Sequence, residues 1–118
     1  MEISLYNQNG APVAYIADDN ETIYLWNGQP VAYLYGEKVY GYSGRHLGWF
    51  INGIIYDGVG EKIGFTSEKC PSMKGSAPLK AHKHMKQLKG TKEMAQMRPM
   101  LRASCSSADF KAFLEQGA

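Results

Sequence analysis

No stretch of this chain is apolar over the roughly 18 residues that a membrane helix needs. Its first residues, Met1-Glu2-Ile3-Ser4-Leu5-Tyr6, lack the basic start and apolar centre of a secretory leader, so a cytoplasmic address is the expectation. Cysteine is scarce. Cys70 and Cys105, 35 positions apart, leave room for one disulfide but read better as free thiols in a reducing compartment, and without CxxC or Cys-His spacing they have little support for a metal or redox role. Cys70 is followed by Pro71 and has no neighbouring base. Ser104-Cys105-Ser106-Ser107 is a linker and cap, lacking the glycines of a nucleophile elbow. His46, His82 and His84 have no cysteine or carboxylate cluster at ligand spacing. The expectation is therefore no catalytic residue, no metal, no cofactor and no enzymatic activity.

What is present amounts to one small domain and an appendage: 118 residues, 13.1 kDa and a net charge of +2. That net charge conceals a division. Residues 1–68 carry three basic against eight acidic side chains, a net −5, whereas residues 69–118 carry ten against three, a net +7. Either the two halves attract each other, or the basic half seeks nucleic acid or another anionic surface.

Four segments align without gaps. They are Leu5-Tyr6-Asn7-Gln8-Asn9-Gly10-Ala11-Pro12-Val13-Ala14-Tyr15-Ile16 and Ile23-Tyr24-Leu25-Trp26-Asn27-Gly28-Gln29-Pro30-Val31-Ala32-Tyr33-Leu34, followed by Val39-Tyr40-Gly41-Tyr42-Ser43-Gly44-Arg45-His46-Leu47-Gly48-Trp49-Phe50 and Ile55-Tyr56-Asp57-Gly58-Val59-Gly60-Glu61-Lys62-Ile63-Gly64-Phe65-Thr66. Each opens on an aliphatic-Tyr pair, places Gly four positions after that Tyr, and closes on an aliphatic, a small residue and an aromatic. Each reads as strand, turn, strand. Asn9-Gly10 and Asn27-Gly28 suit a two-residue type I′ turn, Ser43-Gly44 less well, and Val59-Gly60 poorly, because a β-branched residue resists positive φ. Gly36-Glu37, Asn52-Gly53 and a longer Asp18-Asp19-Asn20 turn link the copies.

The expected fold is all-β: four tandem hairpins, an eight-strand antiparallel meander, closed with pseudo-four-fold symmetry so that no edge is left bare. The small positions Ala14, Ala32, Gly48 and Gly64 are expected near the axis. Tyr15, Tyr33, Trp49 and Phe65, on the opposite face of the same strands, are expected to carry most of the buried area. These segments resemble the 4-fold β-flower domain family over about residues 1–68. The resemblance implies a four-petalled domain in a bacterial protein and supplies no catalytic residues. It also implies a tail of basic triplets rich in proline; most of those prolines are missing here.

Beyond this domain (1–68) lie a basic tail (69–103) and a C-terminal segment (104–118). From Leu79-Lys80 the tail runs in threes, with lysines at Lys80, Lys83, Lys86, Lys89 and Lys92. A polyproline II chain would put them on one edge, but the residue types also favour helix. Helix is the expectation around Glu93 to Arg102, interrupted near Pro99. Ser107 is a candidate N-cap of a short helix whose Phe110, Phe113 and Leu114 form an apolar face seeking a partner.

Trp26, Tyr42, Arg45 and Asp57 are the candidate binding residues of the domain. Lys80, Lys83, Lys86 and Lys89, with Phe110, Phe113 and Leu114, are the candidate tail contacts. Trp26 and Tyr42 stand where Gln8 and Gly58 stand in the other copies, an asymmetry that singles them out, although core or rim packing is the favoured reading over ligand contact. Three functions fit. One is an interaction module whose tail docks on its own acidic domain, a neighbouring subunit or a protein partner. Another is nucleic-acid or anionic-surface binding through the lysines, and the third is small-ligand or carbohydrate binding at exposed aromatics.

Overall fold

The computed structural model describes residues 1–72 and 78–117. Eight strands follow one another as β1 (Ile3–Tyr6), β2 (Pro12–Ile16), β3 (Thr22–Leu25), β4 (Pro30–Tyr35), β5 (Lys38–Gly41), β6 (His46–Ile51), β7 (Ile54–Tyr56) and β8 (Lys62–Phe65), and one helix, α1 (Phe110–Glu115), ends the chain. Each strand pairs antiparallel with its neighbours in sequence, and β8 returns to β1, so the sheet is a closed barrel of four petals.

The petal tips differ from the type I′ expectation. In each, the turn glycine donates its N–H to the carbonyl three residues earlier: Gly10 to Asn7 (3.0 Å), Gly28 to Leu25 (2.9 Å), Gly44 to Gly41 (3.0 Å) and Gly60 to Asp57 (3.1 Å). Only the glycine has positive φ, from 83° at Gly10 to 96° at Gly44. This is the three-residue hairpin loop, a type I turn closed by a left-handed glycine. It explains how Val59 sits in a tip without strain, since its own φ stays negative. The type I′ pair lies instead in a link, where Asn52 (52°) and Gly53 (78°) both have positive φ.

A β-bulge recurs in every petal. Leu5, Ile23, Val39 and Ile55 face Ala14, Ala32, Gly48 and Gly64, while the next residue, Tyr6, Tyr24, Tyr40 or Tyr56, faces Pro12, Pro30, His46 or Lys62. Val13, Val31, Leu47 and Ile63 are the extra residues. Two successive side chains of one strand, such as Val31 and Ala32, thereby reach the same interior.

That interior is aliphatic and incomplete without α1. Leu5, Ile16, Ile23, Leu25, Val39 and Ile55 pack with Phe110, Phe113 and Leu114, all three helix residues buried. The small residues allow close approach: a side chain at Gly64 would overlap the Phe110 ring, and one at Gly48 would overlap the Tyr56 carbonyl of the next strand and come within 3.0 Å of Phe113 Cζ. Asp109, rather than Ser107, caps the helix, accepting from Ala112 N–H at 2.9 Å.

The aromatics are buried, but on the outer wall. Across each seam between petals one aromatic pair stands directly opposed: Tyr15↔Tyr24, Tyr33↔Tyr40, Trp49↔Tyr56 and Phe65↔Tyr6. Tyr15 and Tyr24 stack at 5.5 Å, and Tyr33 and Tyr40 at 5.9 Å. The tail covers several of these rings: Lys80 and Lys83 lie over Tyr15, Lys89 and Lys92 over Tyr33, and Leu101 packs with Tyr56 and Phe65.

Candidate functional site: the strapped outer wall

Residues 78–102 contain no helix, contrary to the expectation around Glu93 to Arg102. They run extended across the petal tips. Every ninth residue repeats the same contact with the next petal. His84, Glu93 and Arg102 donate their N–H groups to the carbonyls of Gly28 (2.8 Å), Gly44 (2.8 Å) and Gly60 (2.9 Å). Ala81 and Gly90 donate to the carbonyls of Trp26 (3.1 Å) and Tyr42 (2.6 Å). The third member of that series is Pro99, which has no N–H to give. The carbonyls of His82, Thr91 and Met100 lie so close to Gly28, Gly44 and Gly60 that a Cβ on any of these glycines would overlap them. The tip glycine thus serves twice, for its left-handed turn and for the backbone that crosses it.

Within each nine-residue step, the triplet period sorts side chains. Lysines turn inward, run over the aromatic wall and reach carboxylates near the link turns. Lys80 and Lys83 pair with Glu2 (2.8 and 2.7 Å), Lys86 with Asp19 (3.0 Å), and Lys89 with Glu21. On the way, Lys80 passes over Tyr15 (4.7 Å) and Trp26 (5.2 Å), and Lys89 passes over Tyr33 (4.3 Å). Lys92 ends over Tyr35 at 4.6 Å, and Arg98 approaches Glu37 at 3.6 Å. Of the three docking modes left open by the sequence, the tail therefore occupies its own domain.

The candidate residues separate accordingly. Tyr42 is buried, and Trp26 is half-buried, its indole N–H donating to the Pro78 carbonyl at 2.9 Å and its ring lying edge-to-face with Tyr15 at 5.9 Å. Their asymmetry among the copies belongs to the tail's path. Arg45 and Asp57 line a common cavity of about 300 Å³ between two petal tips and α1. Asp57 is occupied there as a turn former, accepting from Val59 N–H (3.1 Å) and Glu61 N–H (2.9 Å), as Asn7 does in the first petal. The four lysines hold the outer wall, and Phe110, Phe113 and Leu114 lie in the interior, so the candidates form no single site. Among the described residues, no group of three or more His, Cys, Asp or Glu is placed to hold a metal.

Two further participants carry no ligand motif in the sequence. His46 is buried, its Nδ1 accepting from Gln96 N–H (3.2 Å) while its backbone N–H donates to Glu93 Oε1 (3.1 Å), which ties the tail to the third petal. The second is a row of outward residues. Leu79, Met85, Leu88, Met94, Met97 and Met100, all at the first triplet position, are 88–98% exposed.

Acid is expected to loosen this strap. Burial lowers the pKa of His46 below 6.5. Burial by itself raises Asp19, but hydrogen bonds from Thr22, Glu21 and Lys86 outweigh it and hold the carboxyl well below its usual range. Hydrogen bonds from Lys80 and Lys83 lower Glu2 from 4.5. All three shifts are depressions, so the unfolded chain binds more protons than the folded one. Their contribution is present above the unfolded values and is lost as pH falls through the folded ones, beginning with His46 below 6.5. Thermal unfolding followed from pH 7.5 to 2.5 should show a midpoint that falls first below 6.5 and further below 4.5, and a His46→Gln variant should flatten the upper part of that slope.

A closed four-hairpin barrel, plugged by its own C-terminal helix and strapped by its own tail, defines a class of small β-repeat protein with the strap as part of the unit. The family model described as 4-fold beta flower protein matches residues 3–114, and the chain belongs to that family. The match extends beyond residues 1–68 to include the strap and most of the helix. No curated protein and no solved structure matches the chain.

Proposed function

We propose that this chain is a non-enzymatic interaction module of the bacterial cytoplasm, in which the barrel holds the tail rigid and displays its outward row to a protein partner. The observation that carries this reading is the sorting of the triplets: lysines inward on carboxylates and rings, and six Leu and Met side chains outward at 88–98% exposure. The row is broken only at His82 and Thr91, and exposed apolar side chains concentrated on one side of a folded protein mark an interaction site. An extended chain presenting one side chain every three residues is the form that aromatic-lined grooves read in polyproline-type ligands. Holding it against the barrel meets the ordering cost before binding. Two free cysteines fit the reducing address. The inward turn of Lys80, Lys83, Lys86 and Lys89 weighs against nucleic-acid binding, because those charges already have partners.

The test replaces Leu79, Met85, Leu88, Met94, Met97 and Met100 by Ser. These side chains leave the barrel untouched, so each change should move stability by no more than about 0.5 kcal/mol. Complexes formed in cell extract and trapped by cross-linking should disappear, while neither form binds a DNA oligonucleotide at physiological salt. Retention of the complexes by this variant, with their loss on replacing the four lysines by Gln, would overturn the reading in favour of the charged surface.

A further inference from the structure

Three of the four seams between petals are closed over several residues: β2–β3 and β6–β7 by three pairs each, and β4–β5 by four. Each is joined by a link turn. The fourth seam, β8–β1, has no such link and pairs through Tyr6↔Phe65 alone. Thr66 still donates its N–H to the Gly53 carbonyl (3.0 Å), as Leu34 and Phe50 do to Glu21 and Glu37 within their own petals. The turn comes after it, where Lys69 and Cys70 fold back onto the Thr66 carbonyl at 3.1 and 3.0 Å. The register of the other seams would bring Thr66 opposite Leu5; instead, Ile3 to Leu5 have no strand opposite them on this side among the described residues.

A cavity of about 570 Å³ opens in the gap, lined among others by Ile3, Ser4, Phe50, Thr66, Ser67 and Glu68. Its floor is apolar, with Phe50 half-buried and Ile3 38% exposed. The wall on the β1 side is a strand edge, whose N–H and C=O groups need partners in alternation. A small apolar molecule could fill the floor but would leave that edge unmatched. An extended chain supplies both main-chain groups and an apolar side chain at every second position.

We infer that the open β8–β1 seam is a strand-addition site for an extended segment of a partner protein, with an apolar side chain over Phe50 and a basic residue towards Glu68. The segment completes the ladder that the other seams complete within the chain. This site is separate from the outward row of the tail and does not depend on it.

The probe is a heptapeptide that copies Val31–Tyr35, the stretch that closes the β4–β5 seam, with a Lys added at each end. Titrated into full-length ¹⁵N-labelled protein, it should shift the amide signals of Ile3, Ser4, Leu5, Thr66 and Ser67. Ile3→Lys, which puts a charge on the edge, should weaken binding at least about tenfold. Glu68→Lys, at an exposed position, should weaken it in the same direction with no effect on the fold. The six-serine row variant should bind the peptide as the parent does. No shift of those five amides up to millimolar peptide, or shifts confined to residues 79–102, would overturn the assignment.

Discussion

Phe110→Ala should destabilise the whole barrel, by about 3–5 kcal/mol. The residue lies in the C-terminal segment, far beyond the last hairpin, where truncation would look harmless. Yet its ring is buried against Gly64 and joins the aliphatic interior of all four petals. Gly64, which the ring covers, has no side chain to move into its place, so a cavity is left. Small domains have about 5–15 kcal/mol of stability in total, so this single truncation removes a large part of it. Urea unfolding followed by tyrosine and tryptophan fluorescence should show the midpoint moving sharply down with both probes together. A loss below about 1 kcal/mol would mean that the helix rests on the barrel without completing it.

The second large effect separates two roles of glycine. Gly36 and Gly44 both have positive φ, 62° and 96°. A Cβ at Gly36 would meet nothing within 4 Å, whereas one at Gly44 would overlap the Thr91 carbonyl. Gly36→Ala should therefore cost only the backbone penalty, about 1–2 kcal/mol. Gly44→Ala adds the displacement of the strap and should cost about 3–5 kcal/mol. It should also free the Gly90 and Glu93 amides to exchange with solvent while the petal itself remains paired. Equal costs at the two positions would show that the tail does not bear on the tip.

Much of this fold was legible from repetition alone. Four aliphatic-Tyr openings and four spaced glycines fix eight strands, because a period of two and a recurring turn leave few other arrangements. The axial place of Ala14, Ala32, Gly48 and Gly64 followed from their size. The tip geometry is not legible, because Asn-Gly has a strong local preference for a two-residue turn. Only Val59 betrayed the three-residue loop, since it would be strained in the former and is comfortable in the latter.

The tail was half legible. Its triplets were plain, but the nine-residue register was not, because the contacts that define it are made by backbone N–H and C=O groups, which every residue carries. Lysine, Met and Gln favour helix in isolation, and here the barrel overrides that preference by offering a carbonyl at every ninth residue. The exposure of Leu79, Met85 and Leu88 is likewise a consequence of docking: once lysines at the second triplet position turn inward, the first position must face out.

The central claim is that the tail is a registered part of the barrel, and amide hydrogen exchange of the full-length protein tests it most directly. The amides of Ala81, His84, Gly90, Glu93 and Arg102 should be protected, in a nine-residue rhythm, against fast exchange at Met85, Leu88 and Met94 between them. Uniform exchange at free-peptide rates from residue 79 to 102 would contradict the claim.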